Sequence, residues 1–218
     1  MNNIIANFLK GYLDTLSWSD KTSGLVQTAN IRIKNGEGNI VDKSYPVSCN
    51  VTYNACIKGA YHDLAPDSKK KSVLYFEDKG VSFVEKAWNR MKMRSSLRLV
   101  GWLNLCLIDD SCGVSGSYVL DVIRVLPSNP ISTADFISIY ISNVAQVERS
   151  VDIFSKYTYN ETATQYLMYP YDYFALDLDI DFVITCLEAA YVPPDFSSIT
   201  ADNEIITVDS ELIFADHT

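Results

Sequence analysis

Three aspartates at alternate positions are the residues of this sequence best suited to chemistry. Asp177, Asp179 and Asp181 lie within the segment Phe174–Cys186, whose intervening residues are apolar. This period of two predicts a strand with its carboxylates on one face, roughly 6.5–7 Å apart. Such a row could hold Ca²⁺ or Mg²⁺, but it lacks the glycine and the bidentate glutamate of an EF-hand loop. We predict no metal and no cofactor, with a carboxylate cation site as the alternative.

A second alternating segment carries the opposite charge. Between Arg90 and Leu99 the basic residues occupy one parity and the apolar residues the other, which predicts a strand with a cationic face. Like charges on one face repel, so the two stripes are expected to pair within one sheet or across a subunit boundary. Our hypothesis is the subunit boundary, and it predicts that Arg94→Glu impairs assembly and leaves the fold of the single chain intact.

A tyrosine-rich loop precedes the acidic strand, with six tyrosines between residues 157 and 173. Tyrosine is enriched where one side of a contact is apolar and the other polar, which indicates an interface. The alternative is that these rings pack on the protein's own core. Together with the two stripes, the loop gives the predicted subunit interface: Arg90, Lys92, Arg94, Arg98, Asp177, Asp179, Asp181, Tyr169 and Tyr171.

Other catalytic patterns are missing from the sequence. Neither His62 nor His217 lies in a context typical of a nucleophilic enzyme, and there is no phosphate-binding or dinucleotide motif. The cysteines match neither zinc sites nor redox pairs, so we expect reduced, mostly buried thiols in a cytoplasmic compartment. These five residues are Cys49, Cys56, Cys106, Cys112 and Cys186. We predict that the protein is not an enzyme.

The elements that must position these residues follow from the hydrophobic pattern. Residues 3–16 predict an amphipathic helix, ended by a polar stretch from 17 to 28. The sequence Asn35-Gly36-Glu37-Gly38 between two β-prone runs predicts a hairpin, and Pro46 predicts an edge strand or a loop. Residues 73–77 predict a short strand closed by a turn over residues 77–80.

The second half of the chain adds a helix and an arm. Ser117 is expected to cap a helix ending near Leu126, and residues 136–142 predict a strand. The pattern leaves open whether residues 144–154 extend that strand or turn helical. We predict an α+β fold, an antiparallel sheet packed with an N-terminal helix and one further helix, with long hairpins. Its domain spans residues 1–190, followed by an acidic, extended arm over residues 191–218.

The charge of the chain is unevenly distributed. The 218 residues carry a net charge of −9, but residues 1–98 hold 15 basic and 9 acidic side chains, against 3 and 18 in residues 99–218. An acidic molecule repels phosphate at long range, which argues against a general nucleic-acid binder. The longest apolar stretch, Leu99–Ile108, is too short to cross a bilayer, so no membrane partner is expected. This uneven charge is suited to head-to-tail self-association or to binding a partner with the opposite charge pattern.

Taken in order, these features resemble the tail-completion and terminator-like ring proteins at the neck of tailed bacteriophages. The shared order is an N-terminal helix, a β-hairpin, a long antiparallel strand pair, a packed helix and a strong penultimate strand. The acidic composition, rich in tyrosine and asparagine, is similar to that of virion proteins of crAss-like phages. The matching segments cover roughly residues 1–190 and are Asn3–Leu16, Ile31–Pro46, Val73–Leu105, Ser117–Leu126 and Phe136–Cys186.

The resemblance implies a structural virion protein of the phage neck or tail, assembled in the host cytoplasm. It implies a homo-oligomeric ring, preferably a dodecamer beneath a portal, or else a hexamer nearer the tail. Adjacent portal, neck and tail proteins would be its partners, and DNA would pass through its channel without sequence-specific binding. The arm after Pro194 would lie along a neighbouring ring. The alternatives are a Ca²⁺- or Mg²⁺-binding protein and an adaptor or host-interaction protein of a phage.

Overall fold

The alternating segments form one six-stranded sheet in the computed structural model, which describes residues 1–34, 36–48, 63–109, 116–161, 164–185, 199–201 and 204–206. The described residues contain ten strands, in chain order β1 Lys21–Lys34, β2 Ile40–Ser48, β3 Ser72–Ala87, β4 Arg90–Asn104, β5 Ser138–Glu148, β6 Asn160–Glu161, β7 Thr164–Gln165, β8 Tyr171–Thr185, β9 Ile199–Ala201 and β10 Glu204–Ile206. The large sheet has the order β2-β1-β3-β4-β8-β5. Neighbouring strands are antiparallel except β1 and β3, which are parallel, so the sheet is mixed.

One face of the sheet is covered by helices. The helices are α1 Asn2–Leu13, α2 Leu105–Ile108 and α3 Gly116–Val125, with a 3-10 helix at Val151–Phe154. The apolar stripe of α1, which includes Leu9, packs with Val122 of α3 and with the apolar residues of β3, β4 and β8 in the larger core cluster. The α+β fold predicted from sequence is therefore confirmed. We call this the helical face of the sheet.

The opposite face is divided into two parts. Over one half, the 3-10 helix and the tyrosine-rich segment cover the sheet, and Tyr157 and Tyr159 are buried with Tyr75 and Trp102. Over the other half lie the charged residues of β4 and β8. Because side chains alternate along a strand, the apolar positions of β4 reach the helical face and its basic positions reach this one. We call the second part the charged face.

Strand β3 contradicts one sequence prediction. The turn expected over residues 77–80 is wrong, because β3 continues through this segment to Ala87. A register shift between Asp78 and Val81 marks a β-bulge, and Gly80 lies within it at a φ of 108°. Glycine tolerates this conformation without a steric penalty and serves a bulge as readily as a turn. The hairpin turn comes later, at Trp88-Asn89.

Several other segments refine the sequence predictions. The hairpin between β1 and β2 is confirmed, and β2, with Pro46, forms one edge of the sheet. Strand β1 begins at Lys21, inside the polar stretch that follows the N-terminal helix. The undecided segment 144–154 is a strand to Glu148 and then the 3-10 helix.

The cysteine prediction is wrong for Cys106, which is disulfide-bonded. Disulfide pairing depends on which loops meet in space and cannot be deduced from cysteine spacing. The other four cysteines, both histidines and the predicted boundary at residue 190 lie outside the described residues. The chain divides into two compact units, Met1–Thr185 and Cys186–Thr218, and in the second unit β9 and β10 form an antiparallel pair. No helix within the described ranges is long and apolar enough to span a bilayer.

Candidate functional site

The register of β4 and β8 places the two charged stripes opposite each other in one chain. Arg94 is the cross-strand partner of Asp181, and Arg98 is the partner of Asp177. Directly opposed side chains on one face of an antiparallel pair lie within interaction distance. The two stripes thus neutralise each other within the sheet, the arrangement that the sequence left open beside the subunit boundary.

We call these opposed charged residues of β4 and β8 the charge ladder. Asp181 lies at its centre and is only 3% exposed. Its carboxylate accepts hydrogen bonds from Arg94 Nε at 2.7 Å and from Ser142 Oγ at 3.1 Å, and Lys92 Nζ lies 3.4 Å away. The hydrogen bond from the Arg94 guanidinium is the main reason that the pKa of Asp181 is lowered, and burial opposes it. Charge-assisted hydrogen bonds of this kind fix the geometry of both partners.

The other two aspartates are also engaged. Asp177 Oδ2 accepts a hydrogen bond from Lys79 Nζ at 2.9 Å, and its Oδ1 lies 3.8 Å from Arg98 Nε. Asp179 accepts hydrogen bonds from Ser96 Oγ at 2.8 Å and Asn143 Nδ2 at 3.5 Å. Arg98 also bonds Glu148 at the end of β5. Sequence reasoning missed Lys79 and Glu148, because cross-strand partners emerge only from the register.

This geometry is that of an ion-pair ladder. Its carboxylates point at guanidinium, ammonium, hydroxyl and amide donors, whereas a Ca²⁺ site needs six or more oxygens converging on one point. Over the part of the chain described, no group of three or more His, Cys, Asp or Glu residues could hold a metal ion. The subunit-interface role of the stripes stays a prediction. Arg90, at the exposed start of β4, stands opposite Thr185.

The two tyrosines of the predicted interface have different environments. Tyr171 stacks on the buried Trp102 with ring centroids 5.1 Å apart, and the Trp102 indole donates a hydrogen bond to the carbonyl of Tyr166 at 2.7 Å. Tyr169 is 76% exposed. The tyrosine-rich segment therefore packs on its own core through Tyr171 and presents Tyr169 to solvent.

The buried tyrosines form a polar cluster beneath this segment. Tyr157 donates a hydrogen bond to Glu77 at 2.8 Å, and the hydroxyls of Tyr75 and Tyr159 lie 3.3 Å apart. Burial, reinforced for Tyr157 by the neighbouring Glu77 carboxylate, raises the pKa of these phenols well above the usual value. They stay protonated and serve as structural donors.

We expect Tyr171→Ala to lower the free energy of unfolding by about 2 kcal/mol, because it removes a half-buried ring and its stacking on Trp102. The Trp102 indole then becomes wetter, so tryptophan emission shifts to the red. Tyr169→Ala is the matched control and should leave both readouts at wild-type values. Equal effects of the two substitutions would contradict the assignment of Tyr171 to the core.

The outer half of strand β3, in the β3–β4 hairpin, is exposed to solvent. Every residue from Asp78 to Ala87 is exposed. Phe83 is 59% exposed, and Trp88 at the hairpin turn is 96% exposed. Trp88 also has a φ of 55°, a conformation that costs a residue with a Cβ roughly 1–2 kcal/mol. No pattern in the sequence predicts this surface, although the largely apolar run Val81–Val84 lies close to Trp88.

Comparison with known proteins adds no assignment. No family model matches the chain, and no curated protein matches it.

Proposed function

We propose that this chain is a structural virion protein that assembles with copies of itself into a ring in the neck or tail of a phage. In this proposal the ring is a dodecamer or a hexamer, contacts neighbouring portal, neck or tail proteins, and lines the channel through which DNA passes. The protein acts by assembly and not by catalysis. The proposal starts from the resemblance to phage neck proteins in the order of helices and strands. The exposed β3–β4 hairpin supports it.

The single observation that carries the proposal is the conformation of Trp88. A solvated hairpin turn is ordinarily occupied by glycine, asparagine or aspartate, which accept a positive φ. Here a tryptophan occupies it and is exposed. Strained residues persist where the surrounding structure or the function requires them, and tryptophan is enriched among the residues that dominate binding energy. A projecting aromatic is suited to insertion into a second protein.

The charge ladder supports the same class of function. Its carboxylates and cations are engaged with each other, which leaves the charged face with a mixture of signs instead of a single-sign groove. Nucleic-acid binders present a basic stripe, which these paired charges do not form. A surface of balanced charge fits a channel wall that DNA passes without adhering.

We expect Trp88→Gly to abolish assembly of the ring and to leave the fold at least as stable as in the wild type. Glycine relieves the strained φ and removes the exposed ring, so the melting temperature should stay constant or rise. Mass photometry and negative-stain microscopy of the full chain, alone and with purified neck and portal proteins, measure the assembly. Wild-type particles should contain six or twelve copies.

Two results would overturn the proposal. One is a wild-type chain that stays monomeric in the presence of every neck and portal component. The other is the absence of the protein from purified virions by mass spectrometry, which would favour an adaptor or host-interaction protein. Leu107→Ser removes another exposed apolar side chain and is the matched control, which should assemble as the wild type does.

A further inference from the structure

The outer half of β3 has a free edge. Strand β1 pairs with β3 only between Val73 and Phe76, so from Asp78 to Ala87 β3 has β4 on one side and no strand of the described residues on the other. A free edge of this length presents unpaired backbone donors and acceptors and is a template for another strand. Proteins commonly protect such edges with charges and bulges, and this edge carries both.

The charges and bulges of this edge are arranged symmetrically about Ser82. In the stretch from Asp78 to Lys86, an acidic and a basic residue come first and an acidic and a basic residue come last. Register shifts against β4 lie between Asp78 and Val81 and between Phe83 and Glu85, so the bulges also flank Ser82. An edge with this symmetry is complementary to itself.

We propose that this edge pairs with the same edge of a second copy of the chain, antiparallel and centred on Ser82. In this register Lys79, whose ammonium also bonds Asp177 of its own chain, stands opposite the partner's Glu85. Asp78, which accepts hydrogen bonds from Asn2 and from the Gly80 amide, stands opposite the partner's Lys86. The twofold axis repeats both pairs, so the contact contains four cross-strand pairs of opposite charge. Opposite charges in directly opposed positions stabilise a strand pair.

The two faces of the sheet also match across the contact. Val81 and Phe83 stand opposite Ser95 and Met93 of β4, which places them on the helical face. In the proposed register Val81 meets the partner's Phe83 on that face, so two exposed apolar side chains of each copy become covered. Gly80 meets the partner's Val84, so the bulges of the two strands coincide and do not interrupt the pairing.

Neighbouring registers lose these charge pairs. A shift of the centre by half a residue would oppose side chains that lie on opposite faces of the sheet, so the neighbouring centres are Val81 and Phe83. With either centre, Lys79 no longer stands opposite Glu85 and Asp78 no longer stands opposite Lys86. The opposite-charge pairs therefore favour the centre at Ser82.

This inference goes beyond the proposed ring and does not depend on it. A ring contact joins two different surfaces of neighbouring subunits, whereas this contact joins one surface to itself about a twofold axis. The two are separated by stoichiometry, because edge pairing alone gives dimers. Trp88 lies outside the paired stretch, so Trp88→Gly should leave the dimer intact.

The test exchanges two charges and keeps the composition of the chain. The double substitution Glu85→Lys with Lys86→Glu opposes lysine to lysine and carboxylate to carboxylate at all four pairs, with no change in net charge. Both side chains are exposed, and Glu85 stands opposite Lys92 of its own chain, whose ammonium lies against Asp181. We expect dimerisation measured by sedimentation velocity to weaken at least about tenfold, which corresponds to about 1.4 kcal/mol.

The control Glu85→Asp with Lys86→Arg keeps the charge pattern and should dimerise as the wild type does. Equal melting temperatures of the three proteins establish that the exchange acts on association and not on folding. A wild-type chain that remains monomeric at the highest concentration measured overturns the proposal. So does a charge-exchanged variant that dimerises as tightly as the wild type.

A second measurement reads the register directly. Ser82 lies on the proposed axis, so Ser82→Cys should form a covalent dimer under mild oxidation faster than the wild type does. Lys69→Cys places a thiol at another exposed position and should crosslink no faster than the wild type. Equal crosslinking of the two variants would reject the centre at Ser82.

Discussion

Gly101→Val is expected to be among the most destabilising single substitutions in this chain, lowering the free energy of unfolding by about 3 kcal/mol. A Cβ built at Gly101 would lie 2.5 Å from two ring carbons of Phe174 and 3.1 Å from a methyl group of Leu74. Both neighbours are fully buried, and Phe174 lies on the adjacent strand β8. The ring has no solvent-filled space to enter, so β4 and β8 must separate.

Thermal unfolding followed by circular dichroism measures this effect. For a chain of this length a loss of about 3 kcal/mol corresponds to a fall of roughly 6–12 °C in melting temperature. Gly11→Ala is the matched control, since nothing lies within 4 Å of its added Cβ in α1. Alanine is the better helix former by about 0.5–1 kcal/mol, so this variant should melt above the wild type. A Gly101→Val protein that melts with the wild type would contradict the packing of β4 against β8.

Asp181→Asn is expected to lower the free energy of unfolding by about 2 kcal/mol at neutral pH, since hydrogen bonds to a buried carboxylate contribute more than neutral ones. The loss should depend on pH. The Arg94 hydrogen bond lowers the pKa of Asp181 in the folded chain below its ordinary value of 3.8. The unfolded chain therefore binds the proton of this carboxyl group more tightly than the folded chain does. The contribution of the ionised Asp181 carboxylate to stability is complete at pH values above that ordinary pKa.

Denaturant titrations at a series of pH values test this dependence. The difference in stability between the wild type and Asp181→Asn should be constant near neutral pH and shrink as the pH falls below about 4. Asp135→Asn alters an exposed carboxylate and should match the wild type at every pH. A difference for Asp181→Asn that stays the same down to strongly acidic pH would show that the carboxylate's charge is not what stabilises the fold.

The strand faces could be predicted from the sequence, and the strand partners could not. Period-two alternation assigns Arg94 and Asp181 to polar faces, because it depends only on the local geometry of an extended chain. Which strand lies beside β4 depends on a connection of more than 60 residues that leaves for α3 and β5 and then returns. The sequence therefore left pairing within a chain and pairing between chains equally consistent with the same stripes.

Two features of the candidate site could not be predicted from the sequence for other physical reasons. The prediction ended strand β3 at residues 77–80, because Gly80 has the sequence signature of a turn. Only the pairing with β4 shows that Gly80 lies in a bulge and not in a turn. Tyr171 and Tyr169 have the same side chain and the same parity on the chain, yet Tyr169 precedes β8 and Tyr171 begins it. Tertiary contact with Trp102 separates them, and local sequence does not encode it.

The strand order has a consequence for synthesis on the ribosome. Strand β8 lies between β4 and β5 but is translated after both, so the large sheet cannot close until residue 185 has left the exit tunnel. Until then the basic residues of β4 lack their aspartate partners on β8, and the apolar residues of β4 lack the neighbouring apolar residues of β8. Contacts of such long sequence separation form slowly. A nascent chain of this protein is therefore exposed to aggregation from the emergence of β4 until the emergence of β8, and chaperones that hold extended apolar segments should bind it during this interval.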